Sequence, residues 1–517
     1  MAVGDTEYIL TGLLQHNYFP TTKPGKDELP PIFTSESFTP DVARDLVEKE
    51  HAANAKGRKG GYDQIEYRLT RHNSVSRLLS IPHPLAHAEL CLTLHEHWEL
   101  YGYVATNPNS QIKPCNHSDG RLIVMSGYGG PTGRSQRSLD RSFGKRYVVR
   151  TDIANCFPSI YSHAIPWALV GRTHAKSNQS LVEWFNQIDK KFRASRRDET
   201  QGVAIGPGTS HIAAEIILGR VDESLRDAKF SFVRYIDDYE CYCASEVEAL
   251  NFVRQLEREV AKFKLQLNVK KTVISRLPHP ITDGWILELG QHTPKFDEPE
   301  LRDIFRFFDV ALGLANENPD CSVLHYAASI ANEFNIGYAK NEACLDYLLG
   351  LAFHHSDLLP KLRKFIDGLF IKVFDQVIDF GGVQPKIEAI LKECIALRRS
   401  DGMCWSLYYL GRVNHELSSE LVERIIETED ALAILSLYWA SHAHRERVVQ
   451  YVSNLDSGDP HHLDRHWILL YQLYKDDCID NPYPTEKCFE ILKRSGVSFM
   501  LPNEGFVPDS SGEVADF

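Results

Sequence analysis

Three carboxylates stand out by type and position. Asp152 lies at the end of an apolar run, YVVRTDI (147–153), and Asp237-Asp238 sit in the middle of FSFVRYIDDYECYCA (230–244). The β-branched and aromatic residues around the pair predict a hairpin with the two acids at its tip. Like charges packed together repel, so such a cluster implies bound cations. Magnesium takes oxygen ligands and keeps waters and substrate phosphates in its shell, so two or three protein carboxylates suffice. A pair of divalent cations suits phosphoryl transfer from a nucleoside triphosphate: one lowers the pKa of the attacking hydroxyl and the other steadies the leaving pyrophosphate. Taken singly, Asp152 reads as a strand end and Asp237-Asp238 as a turn. The ordered set carries the chemistry.

Strands and helices around these acids must position them. Residues 147–153 read as a strand, 161–172, 179–197, 210–227 and 246–264 as helices, and 281–290 (ITDGWILELG) as strand-rich. Upstream, residues 1–40 are irregular and carry two proline-containing stretches, which predicts an extended arm lying on the rest of the protein. Residues 41–56 look helical, KGRKGGYDQ reads as a basic loop, 75–81 as a strand, and 85–104 as helical. Residues 105–145, rich in Gly, Ser, Asn and Pro, read as a long irregular stretch. From about 296 the strand signals fade and apolar residues recur at helical spacing to about 495, in a loose helix-pair rhythm that suggests a repeat or solenoid-like unit. The tail, 503–517, is polar and acidic.

Length and composition set wider bounds. A chain of 517 residues implies two to four domains, and 43% hydrophobic residues allow sizeable cores. The net charge of −13 does not advertise nucleic-acid binding, yet a whole-chain sum can hide a local basic channel. Arg134, Arg137, Arg141, Lys145, Arg146 and Arg150 face a single acid, Asp140, just before the first carboxylate strand, and KKFRASRR (190–197) is a second basic run. Solvated faces are the usual fate of such runs, but their position beside the acids favours a channel lining. Eleven cysteines without CxxC pairs point to free thiols in a reducing cytoplasm. Cys241 and Cys243, two apart on a strand, read as core thiols on one face. His462 and His466 can share a helix face, but without a third ligand they do not make a zinc site. No signal-peptide layout and no run of about 18 apolar residues is present, which predicts no membrane span.

The motifs, in their order, resemble the reverse-transcriptase family. DIANCFPSI (152–160) is similar to the first palm motif, QGVAIGPGTS (201–210) to the second, YIDD (235–238) to the polymerase hairpin, and LQLNVKKT (265–272) to the lysine-bearing motif after it. GWILELG (284–290) resembles the primer grip more weakly, and SRLLSIPHP (76–84) part of the fingers. More narrowly, LPPIFTSESF, DIANCFPSIYSHAIPWAL and the Gly206-Pro207 pair look like bacterial reverse transcriptases of antiphage defence, the abortive-infection group among them. The resemblance implies an α+β fold, with right-hand-like fingers and palm followed by an all-α helical-repeat domain. Its divisions would be an arm over 1–40, fingers over 41–150, palm over 151–295, a thumb-like or oligomerising helical domain over 296–502 and a tail over 503–517.

The same resemblance assigns roles. Asp152, Asp237 and Asp238 would be catalytic and, with the backbone carbonyl of Ile153, would hold two Mg2+ ions, Mn2+ being an alternative. Phe157, five residues after Asp152, would be a steric gate against a ribose 2′-hydroxyl. RNA-copying RNA polymerases tend to place Asp there and Gly before the hairpin acids; Phe157 and Ile236 depart from both. Gln201 and Gly202 would lie under the incoming base and template, Arg77 would hold the triphosphate, and Lys271 would act as general acid or phosphate contact. Implied partners are dNTPs, an RNA template (a dedicated noncoding RNA among the candidates), a DNA product and further copies of the chain. The implied activity is RNA-directed DNA polymerisation in antiphage defence. Two alternatives stay open. The Gly206-Pro207 pair replaces the usual Ser-Pro, which motivates template-independent or protein-primed synthesis. A degenerate RNA-binding scaffold is the other, and retention of all three carboxylates argues against it.

Overall fold

The computed structural model describes residues 6–20, 28–54, 57–71, 75–124, 130–370, 382–456, 458–483 and 485–503. The tail predicted over 503–517 therefore lies, past its first residue, outside the described residues.

Four strands make the central sheet: β3 (Tyr147–Asp152), β4 (Phe232–Tyr235), β5 (Asp238–Cys243) and β6 (Val273–Arg276). They run in the order β4-β5-β3-β6, each antiparallel to its neighbours. The predicted hairpin is β4-β5. Tyr235 pairs with Asp238, which leaves Ile236-Asp237 as a two-residue turn. Ile236 has φ +60°, at the first turn position where glycine is the usual choice. A β-branched residue there is held by its surroundings rather than by preference. Cys241 and Cys243 are both buried, with their sulfurs 3.7 Å apart, as alternation along a strand requires.

One face of the sheet packs on the Glu246–Ala261 helix, and through Arg234 and Tyr239 it bonds Glu215 and Asp222 of the Gly208–Asp227 helix. The second of these helices buries Ile212, Ile216, Val221 and Leu225. A separate hairpin, β1 (Gln64–Thr70) with β2 (Ser76–Pro82), lies upstream. Its β1 edge is capped by side chains from the Ser400–Arg412 helix: Arg68 N donates to Ser400 Oγ at 2.9 Å and Thr70 N to Asp401 Oδ2 at 2.8 Å. An otherwise open strand edge is thereby satisfied.

After β6 the described regular elements are all helices. They pack largely on their sequence neighbours, as Leu301–Glu317 on Val323–Ala331, and Ser400–Arg412 on both Val383–Ala396 and Ala431–Ala440. The end of the chain returns to its beginning. Phe33 bridges Met500, Tyr18 stacks on His87 at 3.9 Å and lies 6.3 Å from the Trp467 ring, and Arg58 meets Asp464 at 2.8 Å.

Three segments differ from the sequence expectation. Residues 7–16 are helical turns, Glu7–Thr11 then Gly12–His16, where an irregular arm was expected; Ile9, Leu10, Leu13 and Leu14 are all buried there. Gly130–Ser142 is a helix within the stretch expected to be irregular. Its Gly and Pro residues sit in the first turn, where Pro is tolerated, and Gln136 bonds Asp140 one turn on at 2.9 Å. Gly284–Gln291 is a helix, not a strand. Its apolar residues do not alternate; Leu289 is buried, and the Trp285 ring meets Tyr326 edge-on at 5.4 Å. Packing on the helices that follow decides the conformation.

Candidate active site

The sheet register brings the three acids together. Asp152 stands directly opposite Asp238, and Ile153 N donates to the Asp237 carbonyl at 3.2 Å. On the other side of β3, Ala154 N donates to Gln266 O at 2.8 Å and Asn268 N to Asp152 O at 2.9 Å. This pairing carries the 265–272 segment alongside β3. Asn268 then caps a single 3-10 turn, Val269–Lys271, and Lys271 Nζ reaches Asp152 Oδ2 at 2.7 Å. Asp152 is 6% exposed, and its other oxygen, Oδ1, is buried with no hydrogen-bond partner. Burial, then the charges of Asp238 and Asp152, push the Asp237 carboxyl up to about 6. β2 supplies Arg77, whose guanidinium feels the Asp237 carboxylate while burial lowers its pKa.

A second group is tied to the first through residues 153–160. Asn155, at φ +46°, turns the chain out of β3 into the Cys156–Ser159 helical turn. Phe157 is thereby buried, its ring edge-on to His211 at 5.0 Å. Burial, with Arg77 nearby, pushes His211 down to about 4, so the imidazole is neutral. Val203 N donates to Phe157 O at 3.0 Å, Gly202 N to Ile160 O at 2.7 Å, and Gln201 Nε2 to Pro158 O at 3.2 Å. Gly202 has φ +87°, and a Cβ there would lie 2.5 Å from Arg196 Nη1 and 3.0 Å from Pro158 O. Only glycine fits. Ser80 N donates to Ile205 O at 2.8 Å, which locks this loop to β2.

The residues given catalytic, metal or substrate roles in the sequence fall into two joined groups: Asp152, Ile153, Asp237, Asp238, Lys271 and Arg77, and Phe157, Gln201 and Gly202. Sequence reasoning missed four others. His211 backs Phe157. Arg234 is 0% exposed and bonds Glu215 and Asp222. A signal existed for the last two: acids seven apart on a largely apolar helix share its inner face and demand a buried cation.

Residues 109–297 match the family model described as reverse transcriptase (RNA-dependent DNA polymerase). They are a reverse-transcriptase domain.

That domain is the RNA-directed DNA polymerase type of nucleotidyltransferase. It contains the three acids, Phe157, Gln201, Gly202 and Lys271; Arg77 lies before it. No curated protein sequence matches the chain. Similar solved structures include apo telomerase from Candida Tropicalis, at 12% identity over 84% of this chain and 76% of that one, TM-score 0.31. A form of it truncated from the C-terminal domain aligns at 13% identity over 47% of this chain, TM-score 0.29, and the chain spans 57% of its length. Telomerase from Candida albicans, in complex with a TWJ fragment of telomeric RNA, aligns at 12% identity over 83% and 71%, TM-score 0.28.

Reverse-transcriptase domains work with divalent cations, and the residues here fit such ions. Among the described residues no three His, Cys, Asp or Glu side chains already form a cage. Asp152 Oδ1 is nevertheless an orphaned buried acceptor, and the Lys271 ammonium lies on Oδ2 as a cation would. Oxygen-only donors suit magnesium or manganese. Among the described residues no helix is long and apolar enough to cross a membrane.

Proposed function

We propose that the chain is an RNA-directed DNA polymerase that adds dNTPs by two-metal phosphoryl transfer. One observation carries this reading: Asp152 faces Asp238 across β3 and β5, with Asp237 beside them, inside a reverse-transcriptase domain. Asp152, Asp237, Asp238 and the Ile153 carbonyl would hold two Mg2+ ions, or Mn2+. Bound there, the pair would lower the pKa of the primer hydroxyl and neutralise the leaving pyrophosphate. Arg77 binds the triphosphate beside Asp237. Phe157 fills the space a 2′-hydroxyl would need, and its contact with His211 keeps the ring in place. Gln201 and Gly202 sit beneath the nascent base pair, Gly202 letting backbone approach closely. Lys271 carries the proton to or from pyrophosphate, or holds a phosphate oxygen.

The wider assignment follows the motif resemblance. We read the domains as arm, fingers, palm and helical-repeat domain, the setting as cytoplasmic antiphage defence, and the active form as a homo-oligomer with an RNA template. Template-independent or protein-primed synthesis is the second reading, and the Gly206-Pro207 site favours it: Asn17 O accepts from Gly208 N at 2.6 Å, so the arm packs where a template contact is expected. Primer extension on RNA of defined sequence, one dNTP at a time, tests the first reading. Products that track the template support it. Products independent of the template, or DNA that stays bound to denatured protein, support the second. Phage challenge of bacteria expressing the wild-type chain or Asp237→Ala tests the defence role; equal protection by both overturns a polymerase-dependent one.

A further inference from the structure

The Arg234 side chain, on β4 just before the acidic turn, is fully buried. Its guanidinium makes four hydrogen bonds and one further ionic contact, all in fixed directions. Nε donates to Asp222 Oδ2 at 2.9 Å and Nη2 lies 2.8 Å from the same carboxylate. Nη1 and Nη2 grip Glu215 Oε1 and Oε2 at 2.7 and 3.0 Å. The remaining Nη1 hydrogen goes to the backbone carbonyl of Ile236, at 2.6 Å. Both acids are themselves fixed. Asp222 accepts from Tyr239 Oη at 3.0 Å and Asn107 Nδ2 at 2.6 Å, and Glu215 from Ser110 Oγ at 3.1 Å. The Arg234 backbone is clamped as well: its N donates to Asn109 O, and its O accepts from Gln111 N, both at 2.8 Å.

Charge neutralisation alone would not require the bond to the Ile236 carbonyl. It falls on the one residue of the turn held at an unfavourable φ, the residue directly before Asp237 and Asp238. We infer that Arg234 is a positioning residue: it sets the acidic turn against Asp152 and so sets the affinity of the three carboxylates for divalent cations. The inference rests on the metal-binding role proposed for those acids. Lysine cannot replace it, because a compact ammonium with three donors cannot span two carboxylates and a carbonyl in fixed directions.

The test is Mn2+ binding to the full-length protein without dNTP or primer, followed by the loss of the free-ion electron paramagnetic resonance signal. Arg234→Lys should weaken binding by about tenfold or more, as loss of a group orienting metal ligands does. The double variant R234K/I236G should recover most of that loss, since glycine takes the turn's φ without being held. Folded R234K with wild-type Mn2+ affinity overturns the inference. If R234K does not fold, Ser110→Ala, which loosens Glu215 by one hydroxyl, should weaken Mn2+ binding measurably, by less than the roughly tenfold expected when a direct partner of the ligands is lost; unchanged affinity there overturns it equally. Asp237→Asn separates the two ideas. Loss of binding in D237N with none in R234K sinks only the role of Arg234, whereas retained binding in D237N sinks the three-carboxylate site itself.

Discussion

The Lys271 ammonium lies 2.7 Å from Asp152 Oδ2, in the position a divalent cation would take on that carboxylate. The hydrogen bond to Asp152 raises the lysine's pKa, so it is charged at neutral pH. The side chain is 66% exposed, which keeps the pair weak and readily displaced. Lys271→Ala should therefore change folding stability by less than about 1 kcal/mol. If Lys271 moves a proton in the reaction, the same change should lower the single-turnover incorporation rate by about 100-fold. An unchanged rate would reduce it to a surface lysine.

Asp237 gives a pH signature. Its pKa in the folded chain, about 6, lies above the 3.8 that is ordinary for an aspartate in water. The folded state thus holds this proton more tightly than the unfolded one, and stability without metal falls as pH rises between those values. Asp237→Asn removes the penalty. In EDTA at pH 7.5 it should melt higher than wild type, and at pH 3.5 the gap should close. Mn2+ must displace the same proton, so wild-type affinity should rise as pH passes about 6. A D237N protein that melts lower at pH 7.5 would contradict this electrostatic account.

Phe157, five residues after Asp152, is buried against His211. Phe157→Ala opens the space the ring fills. Discrimination between dNTP and rNTP, taken from the ratio of their kcat/KM values, should fall by about 10- to 100-fold, mostly through better rNTP use. Unchanged discrimination would make Phe157 an ordinary core aromatic.

Arg58 and Asp464, 8% and 0% exposed, close the chain's beginning on its end. Asp464 also accepts from Asp63 N at 2.9 Å and Tyr483 Oη at 3.0 Å. Asp464→Ala removes the nearer of the two carboxylates on the guanidinium, Glu486 remaining at 3.6 Å, and should cost up to about 3–5 kcal/mol in denaturant unfolding. A cost under about 1 kcal/mol would show that the junction carries little stability.

Much of the site was legible because motif order and strand alternation are local properties. The run YVVRTDI formed β3, and the aromatic and β-branched residues around Asp237-Asp238 formed β4 and β5. What escaped depends on distant partners. Gly284–Gln291 is helical because Trp285 meets Tyr326, and composition around 284 carries no trace of that contact. Gly130–Ser142 was hidden by glycines and a proline confined to its first turn. Arg234 read as one charge in a strand; its meaning appears only when Glu215 and Asp222 arrive from a helix that begins 26 residues earlier at Gly208. Arg58 read as part of a basic loop, while its partner is 406 residues away.

The most direct measurement is dNTP incorporation on a primed RNA template by the wild-type chain and by Asp237→Ala/Asp238→Ala, both checked for folding. The proposed site predicts template-directed DNA from the wild type in Mg2+ or Mn2+ and none above background from the double variant. Incorporation that survives loss of both hairpin acids would contradict it.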